Sequence, residues 1–554
     1  MSSIHRLAVA VALCLAVPFS AAAELPEASQ GSSPADEARV KIAAVRVTGV
    51  AEHPAAGITA DSIQRVADAA LREQAGADAA PAALTFAQLE QVAARVTQAY
   101  RLAGFVVATA ILPPQQIGPD QVLTIQVVEG RIGQIRVQGS DRYHASALAA
   151  PMQGLAGQPL QSQTLQQALL YARELPGVSV SSVLVPGANP GETDVVIVAE
   201  DSARPYVVRL GGSNHGTDTT GRYRLETGVT LYSPLGVGDL LSASYAYALN
   251  PNDSWVGAVS YSLPFAGTTG MSGILGFTRS EIELGSGPFA ALDINGPTTL
   301  GYAGVDWKFI NRADLQMQAS GRYIHEASQL DGLGFRLSEH TFDVLEAGLA
   351  VRQDQPSSRG INFAQVSVRK AFNDESAPEN LIYAAHDSHF LISRLSLSRL
   401  QGITPTQRVL LRGNGQFTGD ALPPLEQFSI GGPTSVRAVP LSAALGDRGV
   451  QATFEYQVDA PGFGAHPSPF QGRNWSDVLT LHAFYDWGRV SPVEQNRLIG
   501  VLPITYEGAG LGLVLRLPYQ QGLQFNLSAA TPTGNTTSPD GDDIQIWAGL
   551  GFTF

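Results

Sequence analysis

The sequence predicts a transmembrane β-barrel of about sixteen antiparallel strands, preceded by two small α+β modules. The 554-residue chain begins with a secretory signal, and residues 205–554 alternate apolar and polar residues in segments of roughly ten, separated by turn residues. Between these regions, helix and strand patterns follow one order twice. After the signal no apolar run reaches about 18 residues, which excludes ordinary membrane helices.

Composition agrees with an exported, strand-rich protein. Only 15% of the residues are charged, and the chain contains 57 glycines and 16 tyrosines, which favours strands and turns over long helices. The formal net charge of −14 argues against a nucleic-acid partner. The single cysteine, Cys14, lies inside the predicted signal, so the mature chain has no disulfide and is stabilised by packing or by a membrane.

The predicted signal peptide comprises residues 1–23. Two basic residues precede the apolar run 7–17, and the three alanines of 21–23 provide a small-residue cleavage site. Residues 24–40 are rich in Ala, Ser, Pro and acidic residues, so we expect a short flexible leader there.

Two modules of the order strand, helix, helix, strand, strand are predicted for residues 41–130 and 131–200. Thr85 and Gln88 have the spacing of a capping box, which places the start of the second helix. A tandem repeat of one such plan favours a modular arm over an active-site fold. The predicted strands are 42–49, 106–112, 122–129, 131–138, 178–185 and 193–199, and the helices are 59–72, 85–103, 145–152 and a longer one around 165–172.

The barrel is predicted for residues 205–554. Taken alone, each strand also fits a soluble β-sandwich, but their number and spacing favour a membrane barrel, whose even strand count leaves both ends in the periplasm. The last strand, which sets Ile546, Leu550 and Phe554 against Gln545 and Thr553, shows the alternation. The predicted strands are 206–214, 222–232, 238–249, 254–264, 269–283, 297–309, 313–325, 341–353, 360–371, 388–401, 406–418, 449–459, 478–488, 505–517, 522–530 and 544–554.

The segment 419–448 is the longest interruption of the strand pattern and is predicted to be the sixth external loop. It carries little charge and a Gly-Gly-Pro corner shortly before Arg437, so it is also able to fold back into the lumen. In the strand 478–488, alternation turns Asp486 inward. We expect Arg437 and Asp486 to form a charge-assisted pair inside the barrel; the alternative is that both are solvated charges.

Several motifs together resemble the two-partner secretion transporters, outer-membrane exporters of haemolysins and adhesins in the POTRA-plus-barrel superfamily. The resemblance extends over nearly all of the mature chain. The motif residues are Gly104-Phe105, Leu112-Pro113-Pro114-Gln115, Val128-Glu129-Gly130, Leu175-Pro176-Gly177, Pro234-Leu235-Gly236-Val237-Gly238-Asp239, Phe428-Ser429-Ile430-Gly431-Gly432, Ser435-Val436-Arg437, Gly446-Asp447-Arg448-Gly449 and Phe484-Tyr485-Asp486-Trp487-Gly488.

The resemblance implies two periplasmic POTRA domains, a sixteen-stranded barrel and a sixth loop whose tip arginine contacts an aspartate of the inner wall. Arg437 and Asp486 match that pair. The expected function is capture of an unfolded exoprotein by the POTRA domains and its export through the barrel. The other matching positions are Phe428, Gly431, Gly432, Ser435, Val436, Asp447 and Gly449 in the loop, and Phe484 and Gly488 in the wall.

The chain departs from the family pattern at two places. The family usually follows Val-Arg with glycine and an aromatic residue, whereas this chain has Ala438 and Val439, which can shift the seat of the loop. Members often carry an N-terminal plug helix, but the leader 24–40 is short for one, so no plug is expected.

Three other classes of function remain as alternatives. An enzyme would need a phosphate loop, H-E-x-x-H or G-x-S-x-G, and the sequence has none of them. His386 and His389 are interpreted as solvated rather than as metal ligands, and no cofactor is expected. A barrel-assembly insertase typically has more POTRA repeats, and a passive porin does not need a periplasmic arm. The expected partners are one large exoprotein and membrane lipid. The protein itself is expected to be a monomer.

Overall fold

Amphipathic helices and short strands form the first compact unit, which contains the described residues up to Ala103 and residues 108–128. The computed structural model describes residues 39–76, 81–249, 254–265, 269–284, 294–374, 386–387, 389–498, 500–519 and 522–554. The predicted signal and nearly all of the leader lie outside these residues. The elements of this unit are β1 (Arg39–Ile42), β2 (Ala44–Thr48), α1 (Ala60–Ala75), β3 (Ala82–Thr85), α2 (Phe86–Leu102), β4 (Thr109–Ile111) and β5 (Val122–Val128).

The first unit packs two helices on a three-stranded sheet of order β2-β5-β4, in which β2 and β5 are parallel. The predicted capping box is confirmed: Thr85 accepts a hydrogen bond from the backbone N–H of Gln88, and the Gln88 side chain accepts one from the backbone N–H of Thr85. Every third or fourth residue of α2 from Leu89 to Tyr100 is buried.

Two strand predictions in this unit were wrong in extent, and one strand was not predicted. The strand predicted for 42–49 contracts to β2, which pairs with β5, and its first residue, Ile42, ends β1, which pairs with β3. The predicted strand 106–112 contracts to the three residues of β4. The four-residue β3 was not predicted, because so short a run carries no readable alternation.

The second compact unit contains residues 104–107 and 129–554. It begins with β6 (Arg131–Gln138), α3 (Ala145–Ala149), α4 (Ser162–Arg173), β7 (Val178–Pro186) and β8 (Glu192–Asp201). These strands form a sheet of order β6-β8-β7, with β6 parallel and β7 antiparallel to β8. α3 and α4 bury leucine and alanine side chains on this sheet, together with Met152 and Leu160.

Sixteen antiparallel strands then close into a barrel, as predicted. Closure joins the last strand to the first, and the terminal Phe554 exchanges backbone hydrogen bonds with Val208. The barrel strands are β9 (Tyr206–Ser213), β10 (Tyr223–Tyr232), β11 (Leu240–Leu249), β12 (Trp255–Pro264), β13 (Met271–Glu283), β14 (Asn295–Asn311), β15 (Leu315–Gly332), β16 (Phe335–Gln355), β17 (Gly360–Asp374), β18 (Leu391–Thr404) and β19 (Gln407–Thr418).

The remaining chain adds a small hairpin and the last five barrel strands. These elements are β20 (Phe428–Ile430), β21 (Ala444–Gly446), β22 (Arg448–Asp459), α5 (Trp475–Val478), β23 (Leu479–Ser491), α6 (Glu494–Leu498), β24 (Ile504–Leu517), β25 (Gly522–Pro532) and β26 (Gln545–Thr553). β20 and β21 pair only with each other, whereas β19 pairs directly with β22 across the barrel wall. The hairpin therefore belongs to the loop rather than to the wall.

Exposed apolar side chains form the outer face of the barrel. Leu275, Phe277, Leu345, Leu411 and Ile546 are all exposed, as residues that contact lipid would be. Among the described residues, no helix has the length and apolar character needed to cross a membrane.

The strands β15 and β16 extend well beyond the predicted ends at 325 and 341. Pairing continues up to Gly332 and Phe335 around a two-residue turn. The prediction stopped early because outward positions there are polar: His325 contacts Asp343, and Arg336 contacts Asp331. Strand pairing needs only backbone groups, so it continues where the apolar alternation has ended.

Candidate functional site

Loop 6, residues 419–447, connects β19 to β22 and folds against the inner wall of the barrel. Its hairpin β20–β21 presents a tight turn in which the Gly432 N–H donates to the Val439 carbonyl (3.1 Å). Gly431 and Gly432 have φ angles of 112° and 96°, and a Cβ on Gly431 would lie 2.2 Å from the Pro440 carbonyl oxygen. The two glycines are required because other residues disfavour this backbone and have no room there.

Arg437 is the charged centre of the loop tip. Its Nε and Nη2 donate to the two carboxylate oxygens of Asp486 (2.8 and 3.0 Å), and its backbone N–H donates to the same carboxylate (3.2 Å). Its Nη1 donates to Glu455 Oε2 (2.8 Å). Arg437 is 9% exposed and Asp486 is 1% exposed, so the contact is a buried, bidentate ion pair with a second carboxylate beside it.

Phe484 and Thr453 complete the surroundings of this ion pair. The Arg437 guanidinium carbon lies 3.3 Å from the centroid of the Phe484 ring, which is cation–π geometry. The Thr453 hydroxyl donates to Asp486 Oδ1 (2.9 Å). The buried charges are therefore met by directed partners on adjacent strands rather than by solvent.

Glu455 was missed by the sequence analysis, although a signal for it exists. Strand β22 alternates, and Thr453, Glu455 and Gln457 fall on the same, inward face. The register that places Glu455 opposite Phe484 and Thr453 opposite Asp486 is set by the pairing of β22 with β23. Alternation predicts the face of Glu455, but only the register shows that it reaches the arginine.

The residues after Arg437 are buried against the last barrel strands. Trp547 on β26 donates its indole N–H to the Arg437 carbonyl (2.8 Å). Ala438 and Val439, where the chain departs from the family pattern, are both fully buried. A Cβ on Gly508 of β24 would lie 2.2 Å from the Ala438 Cβ, so the missing side chain of Gly508 makes room for Ala438.

The remaining motif residues line the same contact between loop and wall. A Cβ on Gly488 would lie 3.0 Å from the Val436 side chain, and a Cβ on Gly449 would lie 2.0 Å from the Phe428 ring. Ser435 contacts Gln451 and accepts a hydrogen bond from the Gly431 N–H. The structure thus brings the predicted loop and wall residues together at one interface.

Asp447 closes the base of loop 6 instead of its tip. Its carboxylate accepts hydrogen bonds from the backbone N–H groups of Leu422 and Val493 (both 2.9 Å) and from the Asn496 side chain (3.0 Å). Asp447 is almost completely buried. It therefore ties the two ends of loop 6 to each other and to the segment that follows β23.

Two further family-like motifs meet where the β6-β8-β7 sheet contacts the barrel, within the second compact unit. The His144 N–H donates to the Gly236 carbonyl (2.9 Å), and a Cβ on Gly238 would lie 2.6 Å from the Leu175 side chain. Tyr143 donates its hydroxyl to the Pro176 carbonyl. Burial raises the pKa of Tyr143 to about 12.

In the part of the chain that the structure describes, no three His, Cys, Asp or Glu side chains are grouped as a metal site requires. His386 packs edge-on against His340, with ring centroids 4.9 Å apart. At the tip of loop 6, Arg437 is paired with Asp486 and Glu455. The site is therefore suited to holding the loop against the barrel wall.

A closed sixteen-stranded barrel that follows a POTRA module and matches a haemolysin secretion/activation family model identifies an outer-membrane transporter of the two-partner secretion type, with its POTRA region in the periplasm. Residues 191–515 match the family model described as haemolysin secretion/activation protein ShlB/FhaC/HecB, and residues 54–130 match the ShlB-type POTRA domain. The chain belongs to the haemolysin secretion/activation family.

Relatives and solved structures agree with this assignment. The chain is 26% identical over 478 residues to the hemolysin transporter protein ShlB of Serratia marcescens, covering 84% of this chain and 80% of the relative. It is 24% identical over 491 residues to the heme/hemopexin transporter protein HuxB of Haemophilus influenzae, covering 85% and 82%. The fold is similar to that of CdiB from Escherichia coli, with a TM-score of 0.69 and 19% identity over 95% of this chain and 93% of that one.

Proposed function

We propose that this transporter captures one large unfolded exoprotein with its periplasmic domains and exports it through the barrel, while Arg437 holds loop 6 along the inner wall. The observation that carries the proposal is the buried contact of Arg437 with Asp486 and Glu455. Because the loop lies inside the barrel, the path of an exported chain must pass beside it or displace it. Among the alternatives, an insertase or a passive porin agrees less well with relatives that are named as hemolysin and heme/hemopexin transporters.

Residues 41–130 and 131–200 are proposed to be two POTRA domains, and residues 205–554 the barrel. Support for the second POTRA domain comes from its sheet order, β6-β8-β7, which repeats the order β2-β5-β4. A glycine follows the first strand of each sheet at the same place. A Cβ on Gly49 would lie 2.5 Å from the Val127 carbonyl oxygen, and one on Gly139 would lie 2.6 Å from that of Ala199.

The capture surface is proposed to include the groove between α2 and β4 in the first POTRA domain. β4 lies at the edge of its sheet, and a cavity of about 620 Å³ lies beside it. Phe86 and Ile111 line this groove and are exposed. An extended polypeptide can add to such an edge through backbone hydrogen bonds, and the groove then accepts its side chains.

The remaining expectations form part of the same proposal. The transporter family and the absence of catalytic motifs in the sequence support a protein that is not an enzyme and uses no cofactor. Folding of the exoprotein outside the cell would then provide the driving force for transport. The exposed apolar face supports contact with membrane lipid, and a barrel closed by one chain supports a monomer.

A crosslinking experiment in cells tests this function. A photoreactive residue at position 86 or 111 should trap one large polypeptide, whereas the same residue at the exposed position 65 on α1 should trap much less. Mass spectrometry of the adduct identifies the exoprotein, and secretion is then followed with that protein. Equal adducts at all three positions would argue against the groove, and a barrel that exports nothing would leave the porin alternative.

A further inference from the structure

The base of loop 6 contains a second buried charge, and it is opposite in sign to the charge at the tip. Glu426 lies in the short turn that precedes β20 and is 0% exposed. Its Oε1 accepts a hydrogen bond from Arg369 Nη2 (2.5 Å), and its Oε2 accepts one from Arg394 Nη2 (2.7 Å). A carboxylate of the loop thus lies between two arginines of the wall.

The wall provides this site from four neighbouring strands. Arg369 on β17 also donates to Glu326 on β15 (2.6 Å) and to Glu346 on β16 (3.2 Å). Arg394 comes from β18 and is about a third exposed, whereas Arg369 is buried. Loss of the Glu426 charge would leave Arg369 with two carboxylate partners, so the wall itself does not depend on Glu426.

Gln416 links this site to the other end of the loop. Its side-chain amide donates to the backbone carbonyls of Glu426 (2.8 Å) and Asp447 (3.2 Å), and its oxygen accepts from Arg394 Nε (2.8 Å). Gln416 is buried at the end of β19. Both ends of loop 6 are therefore fixed to the same part of the wall.

We propose that Glu426 is a positioning residue that fixes the base of loop 6 to β17 and β18 independently of Arg437. The tip can then leave Asp486 and Glu455 while the base stays in place, so that loop 6 moves as a segment hinged near Glu426. The two contacts have opposite polarity, so neither loop charge can bind at the site of the other. The tip can therefore be released without a change of partner at the base. The importance of the hinge for transport rests on the proposed function, but the anchoring itself does not.

Spin labels on the purified full-length protein in lipid test the hinge. The only natural cysteine, Cys14, lies in the predicted signal, so Leu425→Cys and Thr434→Cys give single labels at the base and at the tip. Leu425 is 45% exposed, and Thr434 is exposed. We expect Glu426→Gln to raise the mobile fraction at position 425 at least about twofold and to change position 434 little, because local stability is lost only at the base.

Variants of two arginines on β18 provide a matched control. Arg394→Gln removes a partner of Glu426 and should reproduce the effect, even if Glu426→Gln does not fold. Arg399→Gln removes the same side chain on the same strand, where it contacts Asn362 and Gln401 instead of loop 6, and should leave position 425 unchanged.

Two results would overturn the hinge. One is an unchanged label at position 425 in folded Glu426→Gln or Arg394→Gln protein. The other is an equal increase at positions 425 and 434, which would mean that the loop moves as one body. A separate secretion assay on the unmutated transporter tests the proposed function. If that assay detects no secretion, the proposed function fails, whereas the label measurements still decide whether Glu426 anchors the base.

Discussion

The tip and the base of loop 6 are both bound to the barrel wall through a buried charge, but the two loop charges are opposite in sign. At the tip, a loop cation, Arg437, enters a wall site with the carboxylates of Asp486 and Glu455. At the base, a loop anion, Glu426, enters a wall site with two arginines. Hydrogen bonds to backbone groups support both ends, through Trp547 at the tip and through Gln416 and Asp447 at the base. The tip also fits closely against glycines of the wall.

The difference indicates how each contact can be released. A bidentate ion pair with a stacked ring loses most of its strength once its geometry is disturbed, so the tip should detach as a unit. The charges at the base extend over several strands, and each arginine keeps other partners when the carboxylate leaves. We therefore expect substitutions at the tip to have the larger effects.

The largest effect is expected from Arg437→Ala. Removal of the cation leaves the buried carboxylates of Asp486 and Glu455 without their counter-ion. Breaking a buried ion pair in this way costs about 3–5 kcal/mol of stability, and less where water in the lumen screens the charges. Secretion of the exoprotein should be abolished while the barrel still inserts. Secretion is measured in culture medium, and insertion by the heat-dependent shift of the folded barrel on electrophoresis.

Two variants make the Arg437 experiment more specific. Asp486→Ala should have the same consequence, whereas Arg437→Lys keeps the charge but loses the planar, two-pronged contact and should be intermediate. Normal secretion by either alanine variant, with the barrel folded, would contradict the role of the pair in holding loop 6.

Gly508→Ala should displace the tip without removing any charge. The new Cβ would lie 2.2 Å from the Ala438 Cβ and 2.9 Å from the Thr531 carbonyl oxygen. Overpacking of this kind costs about 1–3 kcal/mol, so we expect a more mobile label at position 434 and reduced secretion. Gly321→Ala on β15 is the matched control, because nothing lies within 4 Å of its added Cβ.

Asp447→Asn should loosen the base by a smaller amount. The carboxylate accepts hydrogen bonds from two backbone N–H groups and two side-chain amides, and asparagine offers one oxygen and an amide that cannot accept. An unsatisfied buried donor costs about 1–3 kcal/mol, partly relieved if the side chain turns. The label at position 425 should become more mobile than that at 434; the reverse order would contradict the separation of base and tip.

The sequence predicted the tip far better than the base. Arg437 and Asp486 could be paired because the glycine corner, the alternation of β23 and the family motifs all concern short stretches of chain. Trp547 could not be connected to the tip from sequence, because only closure of β26 onto β9 sets its place in the wall. Local patterns predict faces of strands, whereas contacts across the barrel depend on register.

The base was not predicted because its parts are dispersed. Glu426 lies in a loop, and its partners lie on β17 and β18, with further carboxylates on β15 and β16. Each charge, taken singly, is indistinguishable from a solvated one. Arg369 is buried and contacts Glu426 of the loop, and the path of a loop of this length is not encoded in any local period of the sequence.

The smallest effect is expected from Ala438→Gly, which restores the glycine usual in the family at this position. It removes one buried methyl group, whose burial contributes about 0.8 kcal/mol of stability. The greater backbone freedom of glycine in the unfolded chain costs a similar amount of stability. We expect near-normal secretion and a slight increase in mobility at position 434. A complete loss of secretion would mean that the Ala438 methyl itself fixes the tip.

The same substitution also tests why Gly508 is needed. If the overlap of the two Cβ atoms displaces the tip, Ala438→Gly should partly rescue Gly508→Ala, because the closest contact then disappears and the Ala438 Cα lies 3.5 Å away. The rescue should be incomplete, since the Thr531 carbonyl stays close. A double variant as defective as Gly508→Ala alone would assign the defect to strand pairing of β24 with β25, and not to the seat of the loop.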